Sequence, residues 1–413
     1  MALAATWTEL RKLTPSQRNA VIASYLGWTL DAFDYFLLVF VLKHVADEFG
    51  KDVKSVAFAI MLTLAARPVG ALLFGLLADR YGRRPVLMVD IVLYSVLEFA
   101  SGFAPSLTAL LVLRTLFGVA MGGEWGVGAS LTMETIPPKT RGIISGLLQA
   151  GYPSGYLIAS VVFGLLFPLI GWRGMFMVGA APALLVLFIR SKVEESPAYV
   201  ARRTHRDPAD FLTVAKRHFG RLVYVVLLMT AFNFFSHGTQ DLYPTFLETQ
   251  RHFSTGTVSG IAIVYNIGAI LGGLGFGLYS ERIGRRRAIV IAALLALPVI
   301  PLWAYSATPV MLAIGAFLMQ VAVQGAWGII PVHLNELSPD EIRGTFPGFT
   351  YQLGNLLAAV NAPMQAGIAQ AHGGDYAFAL AMVAAVVAVS VAVLAGFGPE
   401  QRGIAFGRDA RVP

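Results

Sequence analysis

Twelve long apolar runs dominate the sequence, and they decide what this chain can fold into. A helix needs about 20 apolar residues to cross a hydrocarbon core of about 30 Å, and the runs are of that order. We therefore predict an all-α membrane protein with twelve transmembrane helices. The predicted segments, numbered 1 to 12 along the chain, are 19–41, 55–78, 86–104, 107–133, 143–169, 173–191, 222–247, 257–280, 288–305, 309–333, 345–370 and 376–397.

The composition excludes several other classes of protein. Only 13% of the residues are charged, against roughly 25% in soluble domains, which excludes a cytosolic enzyme or a secreted module. The chain has no cysteine, so it has no disulfide, thiolate metal site or thiol nucleophile. The first run carries Asp31 and Asp34 without a small-residue cleavage site, so we interpret it as a retained span rather than a signal peptide.

The positive charges predict the orientation in the membrane. When residues at the end of a segment are counted with the adjoining connection, 24 of the 31 Lys and Arg residues lie in the termini and the even-numbered connections, and five lie in the odd-numbered connections. The positive-inside rule then places both termini in the cytoplasm, as expected for a multi-pass protein of the cytoplasmic membrane. The net charge of +7 is explained by topology, and we expect the lipid bilayer, and no nucleic acid, as a partner.

The two halves of the chain repeat each other. We predict an N-terminal six-helix bundle at 1–191, a cytoplasmic connecting loop at 192–221 and a C-terminal six-helix bundle at 222–413. At a fixed offset of 202 residues the halves match without gaps at many positions, as in transporters whose two bundles rock about a central site. The matched pairs include Gly75 and Gly277, Arg80 and Arg282, Arg83 and Arg285, Gly123 and Gly325, Trp125 and Trp327, Glu134 and Glu336, Arg141 and Arg343, and Gly142 and Gly344.

A charged turn occurs once in each half, at 75–84 and at 277–286. It is similar to the loop motif G-x-x-x-[DE]-R-x-G-R-R of the major facilitator superfamily, and the resemblance extends over the whole chain. It implies the major facilitator fold and a latch that closes a cytoplasmic gate, although the basic cluster could also serve only as a topology anchor. The gating residues that it implies are Asp79, Arg80, Arg83, Glu281, Arg282 and Arg285.

Glycines spaced four residues apart predict close helix packing. Segment 4 has Gly118, Gly122 and Gly126, and segment 8 has Gly268 and Gly272. In segment 10, glutamines replace the first two glycines of segment 4. Their amides either line a cavity or form interhelical hydrogen bonds, and the sequence leaves both open for Gln320 and Gln324.

Segment 7 carries one polar stripe on an apolar helix. At 100° per residue, Asn233, His237, Gln240 and Asp241 fall within about 100° of arc. Ionisable groups inside a membrane usually face a cavity or a transport path. Pro244 removes a backbone hydrogen bond, so we expect a bend near it.

The stripe also matches a family signature. It fits N-x-x-[ST]-H-x-x-Q-D-x-x-x-T at all six fixed positions, and this pattern resembles that of Jen-type lactate/pyruvate:proton symporters in the sialate:proton symporter family. The resemblance implies proton-coupled uptake of a short monocarboxylate. The signature residues carried over are Asn233, Ser236, His237, Gln240, Asp241 and Thr245.

A carboxylate substrate needs a cation or several hydrogen-bond donors near the bilayer midplane. Arg67 is our candidate, because a guanidinium can bind both carboxylate oxygens; the alternative is a permanent pair with Asp31 or Asp34. We expect Arg114 to pair with Glu98 or Asp90. Further candidates for contacts with the substrate are Asn233, His237, Gln240, Gln352, Asn355, Tyr152 and Ser154.

Three groups are candidates for binding the coupled proton. We favour His237 with Asp241, because histidine titrates near neutral pH; Glu124 is second, followed by Asp31 with Asp34. No metal cluster, phosphate loop or nucleophile elbow is recognisable in the sequence. We therefore expect no cofactor, no metal and no enzymatic activity, and a protein that functions as a monomer.

Three functions remain compatible with the sequence. The first is a proton symporter for L-lactate, pyruvate or a similar acid. The second is a proton symporter for another organic acid, such as sialate or an aromatic acid. The third, a nutrient sensor that does not transport, is disfavoured because the predicted cytoplasmic parts are short and contain no signalling domain.

Overall fold

The computed structural model describes residues 10–51, 53–203, 211–404 and 406. It is all helical, with no strand among these residues. The α-helices are α1 Pro15–Phe49, α2 Val53–Tyr81, α3 Arg83–Ser101, α4 Leu107–Thr135, α5 Arg141–Gln149, α6 Gly151–Val178, α7 Ala183–Lys192, α8 Pro197–Arg203, α9 Phe211–Arg217, α10 Phe219–Gln240, α11 Tyr243–Thr249, α12 Thr255–Ile283, α13 Arg285–Tyr305, α14 Pro309–Trp327, α15 Ile330–Leu337, α16 Phe346–Ala358, α17 Asn361–Ala371 and α18 Tyr376–Phe397.

These helices correspond to the twelve predicted segments, which confirms the two-bundle architecture. Five segments are each built from two successive helices: segment 5 from α5 and α6, segment 6 from the end of α6 and α7, segment 7 from α10 and α11, segment 10 from α14 and α15, and segment 11 from α16 and α17. The boundary between segments 5 and 6 lies inside α6, where Gly171 has φ +62°. This conformation is accessible mainly to glycine and turns the chain back.

By length and composition alone, fewer than twelve helices qualify as spans. In the described part of the chain, seven helices are individually long and apolar enough to cross a membrane, or eight if the bent pair within 138–178 counts as one span. The third segment does not qualify because charged residues, including Arg84, Asp90 and Glu98, lie along its length. The eleventh segment does not qualify because it is divided into two shorter helices, α16 and α17.

The predicted glycine contacts are present. A Cβ atom on Gly118 would lie 2.1 Å from the backbone oxygen of Thr63, and one on Gly122 would lie 2.1 Å from that of Arg67. Gly268 and Gly272 pack in the same way on the backbone of α14. The backbones of α2 and α4, and of α12 and α14, therefore approach closely, and this contact fixes the position of Arg67 on α2.

The two repeated turns lie at one end of the molecule, which we call the basic end. Gly82 and Gly284 join their helices with φ of +108° and +95°, a region that only glycine occupies readily. Contacts between the two halves concentrate near this end, where α5 packs on α12 and α16 packs on α2. A Cβ atom on Gly126 would lie 2.7 Å from the Cα atom of Gly348, so the halves touch there.

Candidate functional site

A cavity lies between the two halves and is lined by segments from both. Its free volume is about 60 Å³, and a water molecule needs roughly 10–15 Å³ measured in this way. The cavity therefore has room for a few waters or a small organic molecule. Its lining residues are Trp28, Tyr35, Leu64, Arg67, Gln149, Tyr152, Asn233, Ser236, His237, Gln240, Asp241, Gln324, Trp327, Tyr351 and Asn355.

Arg67 supplies the positive charge of the cavity. Its Nη2 atom lies 3.4 Å from Oδ2 of Asp31, and its guanidinium lies 5.9 Å from the ring centroid of Trp28. The predicted alternative of a partner on α1 is thus realised, with Asp31. This single long contact leaves other N–H donors of the guanidinium unused, and Nε has no hydrogen-bond partner within the described residues. A guanidinium with unused N–H donors can bind a carboxylate and still keep its ion pair with Asp31.

His237 contacts both Asp241, its predicted partner, and Asn355 on α16. Its Nδ1 atom lies 3.1 Å from Oδ1 of Asp241, and its Nε2 atom lies 3.2 Å from Oδ1 of Asn355. The side chains of His237 and Asp241 are 30% and 37% exposed. Both side chains therefore face the open space of the cavity rather than packed protein.

The two glutamines of segment 10 behave differently from each other. Gln320 is buried, accepts a hydrogen bond from Gln240 at 2.9 Å and donates one to Thr239 at 3.3 Å. Gln324 donates to Ser236 at 3.3 Å and also lines the cavity. The interhelical alternative thus describes Gln320, whereas both alternatives hold for Gln324.

The seventh segment breaks where the sequence predicts a bend. Helix α10 ends at Gln240, and α11 begins at Tyr243 with Pro244 in its first turn. Asp241 follows the last residue of α10 and lines the cavity beside the break. Thr245, the last signature residue, lies beyond the break and does not line the cavity.

The remaining candidates for substrate contact fall into two groups. Tyr152 lines the cavity and stacks on Trp28 at a centroid distance of 5.7 Å. Ser154 does not line it; its hydroxyl donates to the backbone oxygen of Ala150 and accepts from Tyr25. Gln352 is buried behind Asn355, whose amide lies 3.5 Å from its Oε1 atom. Ser154 and Gln352 could therefore act on a substrate in the cavity only through neighbouring side chains.

Several carboxyl groups are buried in the N-terminal half. Asp34 and Glu124 are fully buried, and none of their carboxyl oxygens has a hydrogen-bond partner among the described residues. Arg114 bonds Glu98 and Ser101, which confirms the first of its two predicted partners. An ionised carboxylate without a partner is costly inside a membrane. Asp34 and Glu124 are therefore candidates for holding protons.

Six residues of the lining are absent from the sequence-based list of site residues: Trp28, Tyr35, Leu64, Gln149, Trp327 and Tyr351. The internal repeat carried a usable signal for three of them. Gln149 and Tyr351 are 202 residues apart, and Trp327 is the repeat partner of Trp125. Positions that coincide under the repeat therefore line the interface between the halves.

At the basic end, one carboxylate of each half binds backbone N–H groups of the other half. Asp79 accepts hydrogen bonds from the backbone N–H groups of Gly344 and Thr345 at 2.9 and 3.0 Å, and from the Thr345 hydroxyl at 2.7 Å. Glu281 accepts a hydrogen bond from the backbone N–H of Gly142. Gly142 and Gly344 are themselves a repeat pair, so the two contacts are related by the internal symmetry.

Buried arginines support both carboxylates. Arg83 lies 3.1 Å from Asp79 and 3.0 Å from Glu134. Arg285 forms the equivalent ion pairs with Glu281 and Glu336, at 2.9 and 3.1 Å. The side chains of Arg80 and Arg282, which the motif also implied, are exposed at the surface.

Two contacts at the basic end were not predicted. Glu195 and Glu400 each accept hydrogen bonds from the first two backbone N–H groups of the helix after the repeated turn, α3 and α13 respectively. Phe406 lies between the repeat partners Arg141 and Arg343, whose guanidinium carbons are 3.6 and 4.0 Å from its ring centroid. A C-terminal residue thus bridges the two halves.

No group of three or more metal-ligating side chains forms a metal site in the residues that the structure describes. The chemistry that the cavity offers is therefore that of one guanidinium, a histidine–carboxylate pair, amides, hydroxyls and aromatic faces. Such a set binds a small anion by charge and hydrogen bonds.

Two family profiles match the sequence. The profile described as Major Facilitator Superfamily matches residues 24–264, and the one described as Sugar (and other) transporter matches residues 222–400. The structure of the proton:xylose symporter XylE bound to 6-bromo-6-deoxy-D-glucose superimposes with a TM-score of 0.79 at 18% identity. That match covers 95% of this chain and 98% of the other chain, and it bears on the fold alone.

Three relatives have names that refer to transport. The chain is 28% identical over 391 residues to "Carboxylic acid transporter protein homolog" of Saccharomyces cerevisiae, a match that covers 88% of this chain and 63% of that relative. It is 31% identical over 409 residues to "Probable 4-methylmuconolactone transporter" of Cupriavidus pinatubonensis, covering 95% and 92% of the two chains. It is 27% identical over 401 residues to "Sialic acid transporter NanX" of Escherichia coli, covering 96% and 97%.

Proposed function

This chain belongs to the major facilitator superfamily, whose matched members here are transporters and not enzymes, and we propose that it imports a short monocarboxylate, such as L-lactate or pyruvate, together with a proton. We further propose that both termini lie in the cytoplasm and that the protein works by alternating access across the cytoplasmic membrane. The basic end is then the cytoplasmic end, and the structure corresponds to the state in which that end is closed.

The observation that carries this proposal is the pairing of one buried guanidinium with a small polar cavity. Arg67 is 3% exposed, and the free volume beside it is about 60 Å³. A monocarboxylate of a few heavy atoms matches both the charge and the size. In this role Arg67 binds the carboxylate, and the amides of Asn233, Gln240 and Asn355 bind the hydroxyl or keto oxygen.

We assign the coupled proton to His237 and Asp241. They are in contact with each other and face the cavity, and His237 also reaches Asn355. A proton on this pair removes negative charge from the cavity and favours entry of an anion. Glu124 is the second choice, because it is buried without a hydrogen-bond partner in the described part of the chain; Asp31 and Asp34 are the third.

A second candidate function is proton-coupled import of another organic acid. The observation that favours it is the set of relatives, whose names include a sialic acid transporter and a 4-methylmuconolactone transporter. The small volume of the cavity argues against such larger substrates in this conformation. A different conformation of the two halves would enlarge it.

Competition for uptake separates the two candidates. Purified protein in proteoliposomes is given labelled L-lactate with an excess of pyruvate, acetate, succinate or sialate. We expect pyruvate to compete most strongly, and succinate and sialate to compete weakly, because the cavity offers one guanidinium and little space. If sialate displaces lactate as well as pyruvate does, the short-monocarboxylate assignment is wrong. Liposomes without protein are the control.

Uptake is expected to be electroneutral. One proton and one monocarboxylate anion together carry no net charge, so a membrane potential, which supplies about 2.3 kcal/mol per unit charge per 100 mV, should not drive accumulation. The test is a potassium-diffusion potential imposed at zero pH gradient. Lactate accumulation under these conditions would contradict the 1:1 stoichiometry.

Asp79→Asn is expected to open the basic end. Its carboxylate accepts three hydrogen bonds from the other half, and a charged acceptor is worth about 1.5–3 kcal/mol per bond. The chain has no cysteine, so a single thiol can be placed at Ser130, which is buried and donates to the backbone oxygen of Arg343 across the halves. We expect an impermeant reagent added from the basic end to label this thiol about tenfold faster in Asp79→Asn.

The matched control is Glu194→Gln, which removes an exposed carboxylate at the same end that bonds Ser16 within its own half. Its labelling rate should equal that of the parent. Equal rates in Asp79→Asn and the parent would show that Asp79 does not hold this end closed.

A further inference from the structure

An open groove lies at the basic end of the C-terminal half, on the outer side of the repeated turn. It is formed by the end of α12, the first turns of α13 and the chain that follows α18. Its free volume of about 1120 Å³ is many times that of the central cavity. The groove and the central cavity share no lining residue.

The groove has a charged end and an apolar end. Four arginines and one carboxylate line the charged end: Arg282, Arg286, Arg287, Arg402 and Glu400. The apolar end is lined by residues such as Tyr279 and Ile291, each 40% exposed on the flanks of spanning helices. Apolar side chains that are exposed on the flanks of spanning helices face lipid in a membrane, whereas arginines at the helix ends lie at the level of the headgroups.

The positive charge of the groove is only partly used by the protein. Arg286 donates to the backbone oxygens of Ala395 and Gly396, and Arg402 donates to two carbonyls at the end of α12. These contacts orient the two side chains but neutralise no charge. The guanidinium groups of Arg282 and Arg287 are exposed and form no ion pair within the described residues.

Comparison with the other half shows what is unusual about the groove. At the equivalent place in the N-terminal half, the chain after Glu195 forms helix α8, and the Tyr199 hydroxyl donates to the backbone oxygen of Arg80. The Tyr199 ring also packs against Arg83. After Glu400, residues 401–404 form no helix, so within the described residues no helix covers the symmetry-related groove as α8 covers its counterpart.

We propose that this groove binds one anionic phospholipid, with its phosphate at Arg282 and Arg287 and its acyl chains along Tyr279 and Ile291. The excess of positive charge selects an anionic over a zwitterionic headgroup, as basic pockets beside spanning helices do. The apolar end selects a lipid over a free phosphate. Bound in this way, the lipid would cover the C-terminal turn as α8 covers the N-terminal one.

The test uses the full-length protein in detergent, with bound lipid counted by native mass spectrometry and thermal unfolding followed in parallel. Phosphatidylglycerol, phosphatidylcholine and inorganic phosphate are titrated separately. We expect phosphatidylglycerol alone to bind at one site and to raise the unfolding temperature. Arg282→Gln/Arg287→Gln should weaken this binding about tenfold or more, and the single variant Arg287→Gln should weaken it to a smaller extent.

The matched control is Arg190→Gln/Lys192→Gln, which removes two exposed positive charges at the end of α7, outside the groove. It should bind phosphatidylglycerol as the parent does. An equal loss in this control would mean diffuse attraction by the basic end and would overturn the proposal. Binding unchanged in Arg282→Gln/Arg287→Gln, or protection by phosphate equal to that by phosphatidylglycerol, would overturn it as well.

Discussion

Arg67→Lys is expected to reduce the binding of lactate by about 30-fold or more, since truncating one partner of a buried charged pair typically costs at least about 2 kcal/mol. An ammonium keeps the charge but loses the planar fork that can bind a carboxylate at two points. Arg67 lies against Trp28 and Asp31, and its backbone is packed against Gly122. Helix α2 therefore cannot move to bring a lysine at this position closer to the substrate. Binding is measured by substrate protection against thermal unfolding.

The matched control for this substitution is Arg173→Lys. Arg173 pairs with Glu48 at 2.7 Å and is 34% exposed, far from the cavity. This variant should bind lactate as the parent does. If Arg67→Lys folds and binds lactate within a few-fold of the parent, Arg67 serves only its ion pair with Asp31, and another donor holds the anion.

Asp241→Asn is expected to abolish accumulation driven by a pH gradient while preserving exchange of internal for external substrate. The amide resembles the protonated carboxyl group, so the cavity can still accept an anion, but it cannot release the proton. His237→Ala should lose affinity as well as coupling, because it removes the contacts with both Asp241 and Asn355. The two activities are compared by counterflow and by pH-jump uptake.

The same coupling fixes how the parent protein responds to pH. Proton and lactate should each raise the affinity for the other by the same factor. The apparent affinity for lactate is therefore highest at low pH and falls as pH rises and the pair loses its proton. The pH at which this happens is a property of the two coupled groups together and not of one residue. The affinity of Asp241→Asn should depend far less on pH. Retained accumulation in Asp241→Asn would move the coupling to Glu124 or to Asp31 and Asp34, and loss of both activities would make Asp241 a structural or substrate-binding residue.

Much of the fold could be predicted because its signals are local or repeated. Hydrophobic length sets the segments, and glycines at four-residue spacing mark the close contacts of α4 with α2. The repeat and the loop motif pointed to Asp79 and Glu281 at equivalent places. They could not supply the N–H groups that these carboxylates bind, because Gly142 and Gly344 come near only when the two halves pack.

The cavity could be predicted in part for the same reason. The stripe on segment 7 identified His237 and Asp241, since residues four apart on a helix share a face. Trp28 could not be recognised as lining from its residue type alone, because tryptophan also packs inside a membrane bundle, whereas the repeat offered a signal for Trp327 and Tyr351. Ser154 and Gln352 lie on the expected segments but do not line the cavity, because which face of a helix borders a cavity depends on how the neighbouring helices pack.

The measurement that tests proton-coupled import of a short monocarboxylate most directly is lactate accumulation in proteoliposomes under an imposed pH gradient, alkaline inside, with the membrane potential clamped at zero. One unit of gradient supplies about 1.4 kcal/mol per proton, so we predict roughly tenfold accumulation, which should vanish when a protonophore is added. Lactate that only equilibrates across the membrane, with or without the gradient, would contradict proton coupling.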